Sequence, residues 1–519
     1  MVRIFRSFYL FLIFLAAILS SIAYGSIPDR LEQLILEGKI HFYNFKIPKA
    51  QQTFKVIQQE FPDYPHGYFY ESYITLIIYT QDMTNDSLIT TLEQQVDKAI
   101  DVANEYQKGI EDNTAANFHL GLCYGVKGIY QVMNRSYLGS FFTGRKAKGY
   151  LEKVVRLDST YYDAYLGLGI VHYYLDLMPG IVKFLAGILG FDGDRELGRR
   201  EILLTANNGK FFEEEAYFTY YVIRYFLEGD KQNAIEKIEE MSHKYPGNAG
   251  LTLLLGYHNR RFGYIEKSLQ YCQSIPDSFE TILPQIIDMK YYNIAVAHYD
   301  LNQFEKSDSI FSYLIRLRTR KSLYYQAAIN YYKGLLAALM FDNEKSRYYL
   351  KNIFEHKQTK YWYYQSRTLL KYRVDSLMYY QIYARNLLYS RHFDESMTIA
   401  RRLQEMLSKG IEAKNPDLVF LVTDLIGENH YYTHKYSQAK KYYESISAKI
   451  SKMNDEFRRS WVYIHYARCL VKTGEYDLAE KMLDKAHELN EEFTRITISR
   501  ERYILGELKQ QHNNPKVKI

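Results

Sequence analysis

Two histidines, His430 and His434, lie four residues apart in the sequence His-Tyr-Tyr-Thr-His. On a helix this spacing puts both imidazoles on one face, as in zinc proteases that carry His-Glu-x-x-His. Those enzymes use the glutamate as general base, and Tyr431 stands in its place here. We therefore interpret both histidines as surface or interhelix side chains. The sequence also contains no nucleophile elbow, phosphate loop or dinucleotide fingerprint, so we predict a protein without enzymatic activity, cofactor or metal.

Closely spaced carboxylates at Asp192 and Asp194 are similar to the start of a calcium loop. The remaining ligands and the glutamate that ends such loops are missing. Asp194 is better placed to cap the next helix, where Glu196 would be stabilised by the helix dipole. The acidic run 213–215 also precedes a predicted helix, and we interpret these glutamates as stabilised by the helix dipole.

The three cysteines, Cys123, Cys272 and Cys469, are far apart and odd in number. Each has apolar neighbours, which is typical of a small buried hydrophobic residue. We predict no disulfide framework. The 66 basic and 60 acidic residues nearly cancel and are spread along the chain, so no nucleic-acid partner is predicted.

The elements that would position a site are amphipathic helices, which account for almost every window of the chain. Their small residues recur at a fixed spacing. Gly38 is followed twelve residues later by Ala50 and one turn further by Phe54. Such spacing is needed where two antiparallel helices cross closely, because a large residue there would force them apart. The same pairing recurs at Gly121/Ala147 (after an insertion), Val222/Ala234, Gly256/Ser268, Ala295/Ser307, Gly334/Ser346, Ala384/Ser396, Gly427/Ala439 and Ala467/Ala479.

This spacing resembles the tetratricopeptide repeat, whose unit is about 34 residues. The resemblance implies an all-α, right-handed superhelical solenoid of about nine helical hairpins. It also implies that helix A of each unit lines a concave groove. In that register the residues facing the groove are Tyr257, Arg260, Tyr292, Tyr299 and Tyr331. Tyrosine and arginine are favoured at binding hot spots, although 53 tyrosines in the chain leave ordinary packing as the alternative.

Residues 160–200 interrupt the repeat with an apolar segment, 178–190, and the turn Gly-Phe-Asp-Gly-Asp-Arg. With the helix that follows, this block resembles the tetratricopeptide repeat protein thirty-nine (Iml2-like) family and its exported bacterial relatives, over about residues 115–260. The resemblance implies a helical-repeat protein with no catalytic residues to carry over. Two interpretations of the apolar segment remain open. It is an extra buried helix, or it touches a membrane surface or lipid through Phe184, Leu185 and Ile188.

The N-terminus has the features of a secretion signal. Two arginines precede an apolar run from Phe8 to Leu19, and Ala23 and Gly25 fit a signal-peptidase site that cuts before Ser26. The run is short for a membrane span, which needs about 20 residues, and an uncleaved anchor is the alternative. We expect an exported protein of the bacterial periplasm or outer membrane.

We divide the chain into a signal peptide (1–25), N-terminal repeat-like helices (26–159), an insert with an apolar helix (160–200), a repeat solenoid (201–509) and a disordered tail (510–519). The predicted function is a non-enzymatic scaffold of the cell envelope that binds a protein or peptide segment. The alternative is an envelope protein that contacts membrane or lipid through the 178–190 segment. The sequence does not identify the partner.

Overall fold

The structure, a computed structural model, describes residues 27–81, 86–108, 113–134, 136–177, 193–317, 322–489 and 491–513. Over these ranges the chain forms 24 α-helices and no strand, which confirms the predicted all-α fold class. No helix within these ranges is both long and apolar enough to cross a membrane. The predicted signal peptide (1–25) and the predicted apolar segment 178–190, with Phe184, Leu185 and Ile188, lie outside the described residues.

The chain divides into two compact units. The N-terminal unit contains the described residues up to Phe226 together with Lys231–Leu251, and the C-terminal unit contains Leu227–Asp230 and the described residues from Thr252 onward. The first ten helices are α1 Asp29–Tyr43, α2 Ile47–Glu60, α3 His66–Gln81, α4 Asp86–Gln107, α5 Thr114–Met133, α6 Tyr137–Leu157, α7 Ala164–Asp176, α8 Arg195–Asn208, α9 Glu213–Ile223 and α10 Lys231–Lys244.

The other fourteen helices carry the C-terminal unit. They are α11 Ala249–Arg261, α12 Ile265–Gln273, α13 Pro284–Asp300, α14 Phe304–Arg316, α15 Leu323–Leu339, α16 Asn343–Lys351, α17 Lys360–Lys371, α18 Ser376–Tyr389, α19 Phe393–Ser408, α20 Leu418–Tyr432, α21 Tyr436–Ile446, α22 Glu456–Lys472, α23 Tyr476–Leu489 and α24 Glu491–Asn513. Among the described helices, all but α17 and α24 pair in sequence as hairpins. That makes eleven hairpins, two more than the repeat spacing predicts.

The small residues lie where the paired helices cross, as predicted. A Cβ atom added to Gly38 would lie 2.5 Å from the ring of Phe54 on the facing helix. In two other hairpins the small residue on the second helix is a serine. The hydroxyls of Ser307 and Ser396 each donate a hydrogen bond at 2.8 Å to the backbone carbonyl of the residue twelve positions earlier, on the first helix. The crossings are therefore held by steric fit and, in these two hairpins, by a buried hydrogen bond.

In the described residues of the 160–200 region, α7 and α8 pair as a hairpin, and the predicted insert at 160–200 stays a prediction because residues 178–192 lie outside the described ranges. Helices α7 and α8 pack so closely that a Cβ on Gly169 would lie 2.7 Å from the carbonyl oxygen of Gly198. Asp194 caps α8, since its carboxylate accepts the backbone N–H of Leu197 at 2.9 Å. Capping by Asp194 is thus confirmed. The helix that the sequence analysis expected after Asp194 is α8, which is the second helix of this hairpin.

The N-terminal unit also closes on itself. Lys39 of α1 donates to Glu215 of α9 at 3.4 Å, and the side chains of this pair are 6% and 1% exposed. The side chain of Asn248 donates to the carbonyl of Tyr43 at 2.9 Å. A plain solenoid, in which each repeat contacts only its neighbours, has no contacts between residues so far apart in sequence. The first hairpin of this unit therefore packs against its last helices.

Candidate interaction surface

We call the first helix of each hairpin helix A. On helix A, the residues at three positions before, one position after and four positions after the small crossing residue share one face. We call these the groove positions; they lie on a single face because they are four and three residues apart. In the N-terminal unit they are filled by core side chains. Groove positions that are buried there are Ile35, Lys39, Phe42, Phe118, Leu122, Thr219 and Ile223.

In α11, α13 and α15, four groove positions are also buried and apolar, and the other five hold large polar-tipped side chains that are only half buried. These are the five residues predicted from the sequence: Tyr257, Arg260, Tyr292, Tyr299 and Tyr331. They divide into an arginine pair and an aromatic group, described in turn below.

The arginine pair joins α11 to α13. Arg260 Nη1 donates to Asp300 Oδ2 at 2.8 Å, and both side chains are about 15% exposed. The guanidinium also lies over the ring of Tyr257, 6.0 Å from its centroid. The structure thus brings the two predicted residues of α11 together and fixes the arginine with a carboxylate.

The aromatic group surrounds Tyr332. The rings of Tyr292 and Tyr299 meet it edge-on at 6.1 and 5.5 Å, and Tyr331 lies 5.7 Å away. Tyr331 also packs on Trp362 of α17 at 5.2 Å. Burial raises the pKa of Tyr299 and of Tyr331, so both hydroxyls stay protonated donors at neutral pH. The predicted tyrosines are therefore mutually packed as well as half exposed, and their role in binding stays a prediction.

A second cluster, which the sequence analysis missed, lies on α18, α20 and α22. Arg385 donates from Nη2 to Asp424 Oδ2 at 3.0 Å and from Nη1 to Glu428 Oε2 at 2.6 Å. On the other side, His465 places Nδ1 2.9 Å from Asp424 Oδ1 and Nε2 3.4 Å from Glu428 Oε1. We call these four residues the charged cluster. Arg385, Asp424 and Glu428 occupy groove positions, so applying the same register to the later repeats would have found them.

The charged cluster is held rigidly. The hydroxyl of Tyr443 donates to Asp424 Oδ1 at 3.1 Å, and the ring of Tyr443 fills the crossing beside Gly427. Burial alone would raise the pKa of Asp424, but His465 and Arg385 hold it down at about 2. The carboxylate therefore stays ionised at all physiological pH values.

The cluster has some features of a metal centre, because Asp424, Glu428 and His465 offer three ligand-type atoms within 4.8 Å of one another. The guanidinium of Arg385, however, already lies against the second oxygen of both carboxylates. A divalent cation there would face a fixed positive charge at short range. We interpret the cluster as an ion-pair network.

A second ion pair and two exposed tyrosines border the charged cluster. Arg468 donates to Glu501 of α24 at 2.8 Å, and Arg468 and Arg500 hold the pKa of Glu501 at about 2 against the effect of burial. Tyr389, whose hydroxyl contacts Glu428, is 37% exposed, and Tyr432 is 42% exposed. Together these groups offer aromatic and guanidinium surface beside a fixed set of carboxylates.

The histidines and cysteines have the predicted roles. His430 stacks on Tyr442 with ring centroids 5.4 Å apart, and His434 is exposed with Nδ1 2.7 Å from the hydroxyl of Tyr436. The two imidazoles thus have separate partners. The cysteines are buried and unbridged, and burial raises the pKa of Cys272 to about 11.

Residues 159–368 match the family model described as Iml2/Tetratricopeptide repeat protein 39. The matched region overlaps the region of predicted resemblance over residues 159–260. It extends further along the chain and includes the aromatic group. No curated protein matches this chain in sequence.

Solved structures with a similar chain course include a tetratricopeptide repeat protein from Parabacteroides merdae ATCC 43184, at 14% identity over 59% of this chain and 98% of that one, with a TM-score of 0.22. Yeast Tom70 matches at 12% identity over 94% of this chain and 97% of its own, with a TM-score of 0.24. The human IFIT1 dimer with PPP-AAAA matches at 11% identity over 89% and 95%, with a TM-score of 0.31. Likeness at this level says nothing about partners. From its repeat geometry and the family match, the chain is a tetratricopeptide-type helical-repeat protein that matches the Iml2/Tetratricopeptide repeat protein 39 family over residues 159–368.

Proposed function

We propose that this protein is a non-enzymatic scaffold that binds a segment of a partner protein along the groove positions of its C-terminal unit. A helical-repeat fold of this type suggests protein–protein interaction in general, because stacked hairpins present an extended surface. One observation carries the more specific proposal. Several groove positions of the C-terminal unit hold half-buried tyrosines and arginines, whereas the corresponding positions named above for the N-terminal unit are buried.

The chemistry of this surface favours a partner segment with aromatic or aliphatic side chains and with groups that can hydrogen-bond to tyrosine. In the charged cluster the Arg385 side chain is 20% exposed, whereas those of Asp424 and Glu428 are 4% exposed. The guanidinium edge therefore faces solvent more than the carboxylates do. Tyr389 and Tyr432 add exposed ring surface beside it. The guanidinium is already paired with two carboxylates, so the exposed tyrosines supply the contact area for a partner.

We further propose that the scaffold acts in the bacterial cell envelope. The support is the N-terminal sequence, in which two arginines, an apolar run and small residues before Ser26 follow the order of a secretion signal. The alternative function, membrane or lipid contact through the 178–190 segment, stays a prediction from the sequence, since that segment lies outside the described residues.

A pull-down from envelope extract tests the groove. In the double variant Tyr292→Ala/Tyr299→Ala we expect loss of partners that the wild-type protein captures. The matched control is Tyr348→Ala/Tyr380→Ala, because those tyrosines are 64% and 51% exposed and lie away from the groove positions. Both variants are first checked for an unchanged unfolding midpoint. If the groove variant captures the same partners as wild type, the assignment of this surface is wrong.

A further inference from the structure

Helix α6 of the N-terminal unit has an outer face that its own fold does not cover. Leu138 is 72% exposed and Phe142, one turn later, is 56% exposed. A Cβ added to Gly149, which lies on the same face of α6, would meet no atom within 4 Å. The face is therefore open to solvent along several turns.

Basic side chains follow the apolar pair along this helix. Arg145, Lys146 and Arg156 are exposed, and Lys148 is half buried beside Glu152 at 2.6 Å. On the neighbouring helices, Lys127 Nζ of α5 lies 2.5 Å from Asp97 Oδ1 of α4. The exposed Asp101 of α4 is then the negative charge that remains beside the basic residues of α6. Since the paired charges cancel, the outer face carries a net positive charge next to its apolar end.

A cavity of about 470 Å³ opens beside the same residues. Phe142 and Lys146 line it on the α6 side, and Lys146 also lies over the ring of Tyr124, 5.1 Å from its centroid. The apolar and basic groups of α6 therefore border a depression with aromatic and charged walls instead of a flat surface.

Helix α1 of the same unit provides a contrast. Leu36 and Ile40 are also one turn apart and are 42% and 55% exposed. Their exposed neighbours on the helix include Glu37, and the nearby Glu32 pairs with Lys210 at 2.8 Å. An exposed apolar pair is thus not itself unusual in this unit, whereas its combination with unpaired positive charge distinguishes α6.

We propose that the outer face of α6 binds the surface of an anionic phospholipid membrane. Leu138 and Phe142 would enter the boundary between headgroups and acyl chains, and Arg145, Lys146 and Arg156 would lie among the anionic headgroups. This pairing of an apolar patch with basic residues is how interfacial helices bind membranes without spanning them. An acidic protein surface would match the charge but would not require two large apolar side chains to be solvent-exposed at the helix start. The proposal concerns a different unit from the peptide groove and does not depend on it.

Flotation of the full chain with vesicles tests this surface. We expect the wild-type protein to float with phosphatidylcholine vesicles that contain phosphatidylglycerol, to float poorly with phosphatidylcholine alone, and to be released by salt. Leu138→Ser/Phe142→Ser should weaken binding roughly tenfold or more, because it removes the inserted apolar groups. Arg145→Glu/Lys146→Glu should remove the preference for phosphatidylglycerol.

The control is Leu36→Ser/Ile40→Ser, which removes a matched exposed pair and should leave flotation unchanged. All of these side chains are exposed, so the unfolding midpoints should stay at the wild-type value. Wild-type protein that does not float, or a Leu138/Phe142 variant that floats as well as wild type, would overturn the proposal. It would also be overturned if that variant lost a captured protein while vesicle binding stayed intact, since α6 would then bind protein.

Discussion

In the N-terminal unit, Lys39 occupies a groove position of α1 and is sealed against Glu215 with 6% of its side chain exposed. In the C-terminal unit, Arg385 occupies the equivalent position of α18, keeps 20% of its side chain exposed and holds two carboxylates. The first ion pair joins the start of its unit to the end. The second lies on a face that stays accessible.

The difference shows that one repeat register serves two purposes. Where the groove positions are apolar or internally paired, the unit closes and its inner face becomes core. Where they are tyrosine and arginine, part of each side chain stays in contact with water, and we propose that this face receives a partner. Buried ion pairs are often replaceable by apolar residues at no cost, so the pair Lys39–Glu215 should tolerate replacement of both partners better than loss of one.

The largest effect is expected from Arg385→Leu. It leaves Asp424 and Glu428 buried without their guanidinium partner, which should lower the free energy of unfolding of the C-terminal unit by about 3–5 kcal/mol. Tryptophan fluorescence in a urea titration measures this directly, because both tryptophans, Trp362 and Trp461, lie in that unit.

Arg385→Lys is the control, since it keeps the charge but cannot donate to both carboxylates in the same fork. Its loss should fall between wild type and leucine. A leucine variant as stable as wild type would show that the cluster is not an essential ion-pair network.

The second effect concerns the sealed pair. Lys39→Met removes the ammonium partner of Glu215, whose side chain is 1% exposed, and should lower the stability of the N-terminal unit by about 3 kcal/mol. The double variant Lys39→Met/Glu215→Leu should recover most of that loss. Urea-dependent labelling of the buried thiol of Cys123, which lies in this unit, reports the result. A double variant that is no more stable than the single variant would contradict this expectation, because the ion pair would then contribute more to stability than closure of the unit.

The helix crossings of the two units offer a third comparison. A Cβ on Gly198 would lie 2.5 Å from backbone atoms of Gly169 and Tyr173, which cannot rotate away, whereas at Gly427 it would meet the Tyr443 ring at 2.7 Å. We expect Gly198→Ala to cost about 3 kcal/mol and Gly427→Ala about 1 kcal/mol.

Gly144→Ala, at an open helix position, is the control for these two substitutions and should stabilise the protein by about 0.5–1 kcal/mol. Thermal unfolding followed by circular dichroism compares all three. Equal losses at the two crossings would mean that the backbone of α7 and α8 adjusts more easily than its contacts suggest.

The smallest effect is a pH dependence of opposite sign in the two units. Burial raises the pKa of Asp163 from 3.8 to about 6, although hydrogen bonds from the backbone N–H groups of residues 210–212 act in the opposite direction. The stabilisation of the folded unit by Asp163 is therefore fully present below pH 3.8 and is lost as the pH rises through about 6. The pKa values of Asp424 and Glu501 are held at about 2, so their contribution is present above about pH 4.5 and is lost as the pH falls through about 2.

Acidification from pH 6 to 4 should therefore favour the N-terminal unit, and further acidification should weaken the C-terminal unit. Urea midpoints across this range measure both, with dithiodipyridine reaction at Cys123 for one unit and tryptophan fluorescence for the other. Asp163→Asn should remove the first trend only. Parallel trends in both units would contradict these assignments.

The helices, the crossings and the aromatic groove residues followed from the sequence because each depends on residues within one hairpin. Gly38, Ala50 and Phe54 determine a crossing through local spacing alone. The contact of Lys39 with Glu215 joins residues 176 positions apart, and no local pattern encodes it. The charged cluster combines one or two residues from each of three helices A. It could have been found by extending the groove register to Arg385, Asp424 and Glu428, but the presence of His465 depends on how α22 packs.

The central claim is that the C-terminal unit binds a protein partner beside the charged cluster. A photo-crosslinking amino acid placed at Tyr389 or Tyr432, with Tyr348 as the outer-face control, tests it in intact cells. We predict that both groove-side positions capture the same partner and that position 348 does not. Equal capture at position 348, or no adduct at positions 389 and 432, would contradict the claim.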